Sequence, residues 1–261
     1  NLPSGDGRLR GKQSLGAFHD KFLTYTQAWI TLGFLRGGFY GEAQGLADYL
    51  VSQQDGRAGG FLSLGLDEKR PRQFDMLCTG MGALASLAAG RLTEARLAGD
   101  FLCEFLSKQP PDGKSFYTAA DTEGNPIKDF PPESRLLYFL DASQGGQLYF
   151  FFGTPAIFLA HLYGRFPEAR YLDAARRLLE LWEGCGENGC RSLGSGKCGC
   201  AAAHLFRVTG LQRYRCAAVR VAEYLMSVQS DEGSWPGGKV DPPVSISAEM
   251  IVWLSEILAC V

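Results

Sequence analysis

Apolar positions along the chain fall into two alternating kinds of helical segment. Four segments carry apolar residues three and four apart, with charges on the opposite side: EAQGLADYLVSQQ, EARLAGDFLCEFLSKQ, EARYLDAARRLLELWEG and RCAAVRVAEYLMSVQ. That spacing predicts amphipathic helices with one side in water. Leu46, Tyr49 and Leu50 mark the buried stripe of the first, and Leu172, Ala175, Leu178, Leu179 and Trp182 that of the third. Five other segments are apolar nearly all round: FLTYTQAWITLGFL (22–35), MLCTGMGALASLAA (76–89), PAIFLAHLYG (155–164), CAAAHLFRVTG (200–210) and ISAEMIVWLSEILACV (246–261). A helix with no polar face must be surrounded by protein. The alternation therefore predicts a concentric double ring, five inner helices wrapped by four outer ones, in one domain spanning residues 1–261.

Helix ends agree with this. Thr154-Pro155 reads as an N-cap followed by a proline at N1, where its missing N–H costs nothing. Gly90, Gly164 and Gly210 stand just past helical runs, where a left-handed residue is wanted. Strand signals are scarce. LLYFLDASQGGQLYFFF (136–152) is the exception and reads as a hairpin, since Gly145-Gly146 interrupts a helix. The proline-rich stretch 110–135 is a loop long enough to cap one end of the ring.

Composition narrows the function classes. The 261 residues are 46% apolar and 21% charged, with a net charge of −2 and no basic block, which argues against a nucleic-acid partner. No apolar run reaches the roughly 18 residues of a membrane span. Eight cysteines at 78, 103, 185, 190, 198, 200, 216 and 260 suggest a reducing compartment, the cytoplasm. Cys103 and Cys216 fall inside helical patterns and read as small core residues. The cluster CGENGC and KCGCAAAH has no C-x-x-C, and its spacings fit no common structural zinc site; free thiols are the simpler reading. GSGKCG lacks the spacing and the Ser/Thr of a phosphate-binding loop.

One local pattern repeats: an aromatic-Leu helix end, Gln, a short acidic turn, then Gly and an aromatic. Gln229, Gly233 and Trp235 carry it fully, Gln54, Gly59 and Phe61 with Phe for Trp, and Gln109, Gly113 and Phe116 with an extra residue. This resembles the repeat of the terpenoid cyclase and protein prenyltransferase superfamily. The resemblance implies an all-α fold, an α/α toroid (barrel) of about five helical hairpins around a central cavity. It also implies that the Gln side chain ties an outer helix to the next turn under a stacked ring. The Asp-x-Asp-Asp acid motif of the squalene-type cyclases is absent, as is the prenyltransferase zinc motif; Asp75-Met-Leu-Cys78 has the wrong spacing. A fainter resemblance links AAAHLFRVTGLQRY and YGRFPEARYLDAARRLL to the hairpins of six-hairpin carbohydrate enzymes.

Polar residues on inner helices are the candidates for chemistry. Asp75, the only charge between Arg72 and Arg91, opens its helix, where the dipole favours a carboxylate. It is read as a local helix-terminus group or as a general base. Glu249 lies in the corresponding turn of the last inner helix, with Ser245 or Ser247 as cap. Were the two carboxylates to share one mouth, repulsion would raise one pKa and supply an acid and a base. His19 opens the first inner segment and is the third catalytic candidate, while His161 and His204 read as hydrogen-bonded core histidines. Tyr25, Gln27, Trp29, Phe74, Gln147, Tyr149 and Trp253 are candidate substrate contacts, or satisfy backbone groups at helix ends. The favoured expectation is a cyclase or isomerase of natural-product biosynthesis. It needs no metal or other cofactor and folds a hydrophobic, terpenoid- or polyketide-like substrate in an aromatic cavity. A carbohydrate-active hydrolase, lyase or epimerase is the alternative, with Asp75, Glu249 or a histidine as acid/base. A non-catalytic binder of a lipid-like ligand is the third.

Overall fold

The computed structural model describes residues 22–63, 72–237 and 243–261. Nine long helices dominate these residues: α1 Leu23–Arg36, α2 Tyr40–Ser52, α3 Met76–Ala88, α4 Leu92–Ser107, α5 Phe150–Arg165, α6 Ala169–Glu183, α7 Gly196–Thr209, α8 Gln212–Ser227 and α9 Pro243–Cys260. Four short strands form two antiparallel pairs. β1 Phe74–Asp75 pairs with β3 Ala119–Ala120, and β2 Ser115–Tyr117 with β4 Phe139–Asp141. The chain groups into two compact units: residues up to Lys108 with Ala119–Ile127, and Gln109–Thr118 with Lys128–Val261.

In the first unit α3 is buried on every side from Met76 to Ala83, as its charge-free sequence requires. Its small residues admit large neighbours: a Cβ at Gly82 would lie 2.8 Å from the Phe61 ring. The amphipathic α2 and α4 turn Ala43, Leu46, Ala47 and Leu50, and Leu102, Phe105 and Leu106, inward. Each such fully buried side chain is worth about 1.5–3 kcal/mol. Gln54 closes α2 as the repeat implies, donating to Gly59 O and to Glu94 O at the start of α4, both at 2.9 Å.

In the second unit α5 is buried from Phe151 to Ala160 and α7 from Gly196 to Leu205. They approach closely at Gly153, where a Cβ would stand 2.5 Å from the Lys197 carbonyl carbon. Helix α6 buries Leu178, Leu179 and Trp182, and α8 buries Tyr214, Val221 and Leu225. Gln229 Nε2 donates to Gly233 O at 2.7 Å, and the buried Trp235 indole to Leu225 O at 2.7 Å. Gln109 holds Tyr117 from both sides, through its carbonyl and its amide nitrogen.

Several boundaries differ from expectation. Helix α5 starts at Phe150, so Pro155 lies inside it and Thr154 does not cap; its hydroxyl donates back to Phe150 O at 3.3 Å. Gly164 is helical, while Gly90 (φ +80°) and Gly210 (φ +70°) do adopt the left-handed turn. Phe139–Asp141 pairs with residues 115–117 rather than within 136–152, because Phe150–Phe152 already belong to a helix. Helix α9 begins at Pro243, which puts Glu249 in its second turn, and Ser247 Oγ accepts from Trp235 N instead of capping. Cys216 is exposed and Cys103 half-buried.

The largest departure is α9 itself. Only Met250, Trp253 and Ile257 are buried, and Val244, Ile251 and Leu258 are 74%, 57% and 80% exposed. With 18 residues and a mean hydropathy of 1.4, it is long and apolar enough to cross a membrane by length and composition. Two of its residues, Glu249 and Glu256, break the apolar run, and both are held by protein partners.

Candidate functional site

Lys197 and His204 on α7 are seven residues apart, as are Glu249 and Glu256 on α9. Seven residues are two helical turns, so each pair lies on one face, roughly 10 Å apart along the axis. These faces meet. Lys197 contacts Glu249 and Trp253 of α9 and Phe150 of α5, while His204 contacts Glu256 and Cys260 of α9 and His161 of α5. Early residues meet early ones and late meet late, so α5, α7 and α9 run in the same direction with a polar level near each end.

At the N-terminal level Lys197 Nζ donates to Glu249 Oε2 at 2.6 Å and stands 5.5 Å from the ring centroids of both Phe150 and Trp253. The lysine side chain is 6% exposed and the glutamate 24%, so the ammonium is enclosed and the glutamate side chain partly open. A buried cation is costly unless paired; the carboxylate and the two aromatic faces offset that cost. Small residues make the space: a Cβ at Gly196 would lie 3.0 Å from the Trp253 ring. A paired ammonium with aromatic walls fixes the position of the carboxylate it binds.

At the C-terminal level His204 Nε2 is 3.3 Å from His161 Nε2 and 3.4 Å from Glu256 Oε2, and its Nδ1 is 3.7 Å from Cys260 Sγ. Burial works against the protonated imidazole, yet contacts with Cys200, Cys260 and Glu256 outweigh it and raise His204 to about 11. His204 is a buried, bonded histidine as expected, while its partner His161 is only half-buried. Among the described residues no group of three or more His, Cys, Asp or Glu could hold a metal ion. All eight cysteines are free, and burial pushes Cys185 up to about 12.

The predicted site residues divide. Glu249 and Trp253 meet at the N-terminal level. Asp75, in the first unit, is the N-cap of α3, its Oδ1 accepting from Cys78 N at 2.7 Å. Its pKa is raised by burial, against the pull of Ser63, Cys78 and Leu77. Within its own unit each carboxylate has a local partner: Asp75 caps a helix and Glu249 forms an ion pair. Tyr25 and Phe74 are enclosed, Gln27 is fully buried, and Trp29 meets Tyr25 edge-on at 6.3 Å. Gln147 binds Asp141 N and Gly145 O, and Tyr149 OH donates to Gln144 O, so both tie the loop before α5. His19 lies outside the described residues. A cavity of about 390 Å³ opens in the first unit beside Arg57, Phe101, Glu104, Phe105, Thr122 and Glu123, and none of the predicted residues lines it.

Lys197, Glu256 and Cys260 were not singled out from the sequence. Lys197 sits before the inner segment 200–210, while the helix itself begins at Gly196. The matched seven-residue spacings on α7 and α9 are the signal that could have found it.

No family model matches the sequence, and no curated protein matches it. Solved structures do. A D-mannose isomerase superposes with a TM-score of 0.65 at 15% identity, over 91% of this chain and 72% of that one. A glycoside hydrolase family 76 alpha-mannanase from Bacteroides thetaiotaomicron gives 0.61 at 11% identity, over 90% and 70%. A possible family 105 glycoside hydrolase from Klebsiella pneumoniae gives 0.56 at 12%, over 90% and 69%. The chain is all-α and shares the α/α-toroid fold of these enzymes. The terpenoid cyclase branch is not among these neighbours.

Proposed function

We propose that the protein is a carbohydrate-active enzyme working by proton transfer, of the sugar isomerase or epimerase kind, with Glu249 as the base. The observation that carries this is the Lys197–Glu249 pair at 2.6 Å, its lysine enclosed by Phe150 and Trp253 and its glutamate side chain 24% exposed. The neighbours with solved structures, a mannose isomerase and a mannanase among them, support a sugar over a terpenoid or polyketide substrate. Such an isomerisation removes the proton on the carbon beside an open-chain carbonyl. The C–H electron pair forms the C=C bond of an enediolate as the proton moves to the Glu249 carboxylate. Return to the other face of the same carbon gives the epimer. Return to the neighbouring carbon, with the hydroxyl proton passing between the two sugar oxygens, gives the isomer. Charge develops on the sugar oxygen, and the enclosed Lys197 ammonium, lying behind Glu249, is the nearby fixed positive charge. The half-buried Phe150 ring supplies a flat apolar wall for the C–H face of the sugar.

Incubation with a panel of aldoses and ketoses in deuterated water tests this. Exchange at the carbon beside the carbonyl, followed by NMR, is expected for at least one sugar. Glu249→Gln should slow it by about 100-fold or more with the helical circular dichroism unchanged. Lack of exchange with every sugar would sink the proposal, as would an unaffected Glu249→Gln protein.

A further inference from the structure

The C-terminal level of the seam has no part in that chemistry, and its arrangement is that of an activated thiol. Cys260 Sγ lies 3.7 Å from His204 Nδ1, and the other nitrogen of the same ring lies 3.4 Å from Glu256 Oε2 and 3.3 Å from His161 Nε2. An imidazole held between a thiol and a carboxylate is the setting in which cysteine becomes a nucleophile. We propose that Cys260 is a covalent modification site whose ligands are small-molecule disulfides. In the reaction the Cys260 thiolate attacks one sulfur of the disulfide. The S–S bond breaks, a mixed disulfide forms on Sγ, and the released thiolate takes a proton from water.

The surroundings select Cys260 from the eight. Burial raises the pKa of Cys78, Cys185, Cys190, Cys198 and Cys200, which keeps those thiols protonated. Cys260 is held below the ordinary thiol range, first by its contact with His204; burial opposes this, Arg207 assists and Glu256 opposes. Among the described residues these groups face the thiol from the neighbouring helices. From α7 come His204, Arg207 and the fully buried Cys200, from α5 His161, and from α8 Arg215, which donates to Val261 O at 3.3 Å. Cys200 also touches His204 but is enclosed, whereas Cys260 is half-buried and open to a reagent. A group attached to Sγ would displace the His204 contact, so modification reads out directly on the histidine network.

The test uses the full chain and a dipyridyl disulfide, with each labelled cysteine quantified by peptide mass spectrometry. Labelling is followed from about pH 5 to about pH 9. The exposed Cys216 is the internal reference. At about pH 6, Cys260 is expected to react roughly tenfold faster than Cys216, with a half-maximal rate at lower pH. His204→Gln should move the Cys260 profile upward to that of Cys216. The wild-type comparison needs no variant to fold. Coincident profiles for Cys260 and Cys216 in the wild type would overturn the proposal, and so would a Cys260 profile unmoved in folded His204→Gln.

Discussion

Asp75 and Glu249 carry the same carboxylate in opposite surroundings. Asp75 is enclosed at a helix N-terminus, bonded to the Cys78 amide and made a weaker acid by burial. Glu249 is half-open and bonded to an ammonium. The first holds a helix end, and the second is the base of the proposed reaction. Asp75→Ala should cost about 1 kcal/mol in urea denaturation, the value of a lost N-cap. Asp75→Asn should cost much less, since asparagine caps as well and buries no charge. Equal losses for both variants would mean that the charge, and not the cap, is what Asp75 contributes. The cap was legible in the sequence as a lone acid before an apolar run. The ion pair was not, because its lysine lies 52 positions away on another helix.

At the level of elements, close packing of α5 on α7 depends on a missing methyl. A Cβ at Gly153 would lie 2.5 Å from the Lys197 carbonyl carbon and 2.7 Å from the Cys198 nitrogen. These are backbone atoms and cannot swing aside. Gly153→Ala should therefore destabilise by about 1–3 kcal/mol, the usual cost of overpacking. Gly164 on the same helix has open space around its Cβ position, so Gly164→Ala should stabilise by up to about 1 kcal/mol through helix propensity. Thermal melts of the two variants check this, and opposite signs are the expected outcome. The outer helices were readable to within about three residues, because a half-wet helix writes its period into the sequence. The inner ones were harder: without a polar face they carry no period, which is why the start of α5 was placed at Pro155 instead of Phe150.

For the molecule as a whole, stability should depend on alkaline pH in a defined direction. The folded pKa of His204, about 11, lies above the ordinary 6.5. A group raised in this way contributes fully below 6.5, and its contribution is lost as pH rises toward 11. The buried thiols, also raised, act in the same sense. The melting temperature should fall from neutral pH upward, and His204→Gln should flatten part of that fall. A variant curve parallel to the wild type would show that the His204–Glu256–Cys260 contacts do not stabilise the fold.

The sequence by itself determined the class of the protein: nine amphipathic or apolar helices, their order, and the glutamine ties at their ends. Those features are local, set by spacing within a few turns and by which side chain reaches which backbone group. Tertiary structure alone decided the site. Lys197 with Glu249, and His204 with Glu256 and Cys260, belong to helices far apart in the chain. They meet only because α5, α7 and α9 pack in parallel, with glycines where the backbones come closest. A helical period says which face turns inward, but the partner it meets there is fixed by packing in three dimensions.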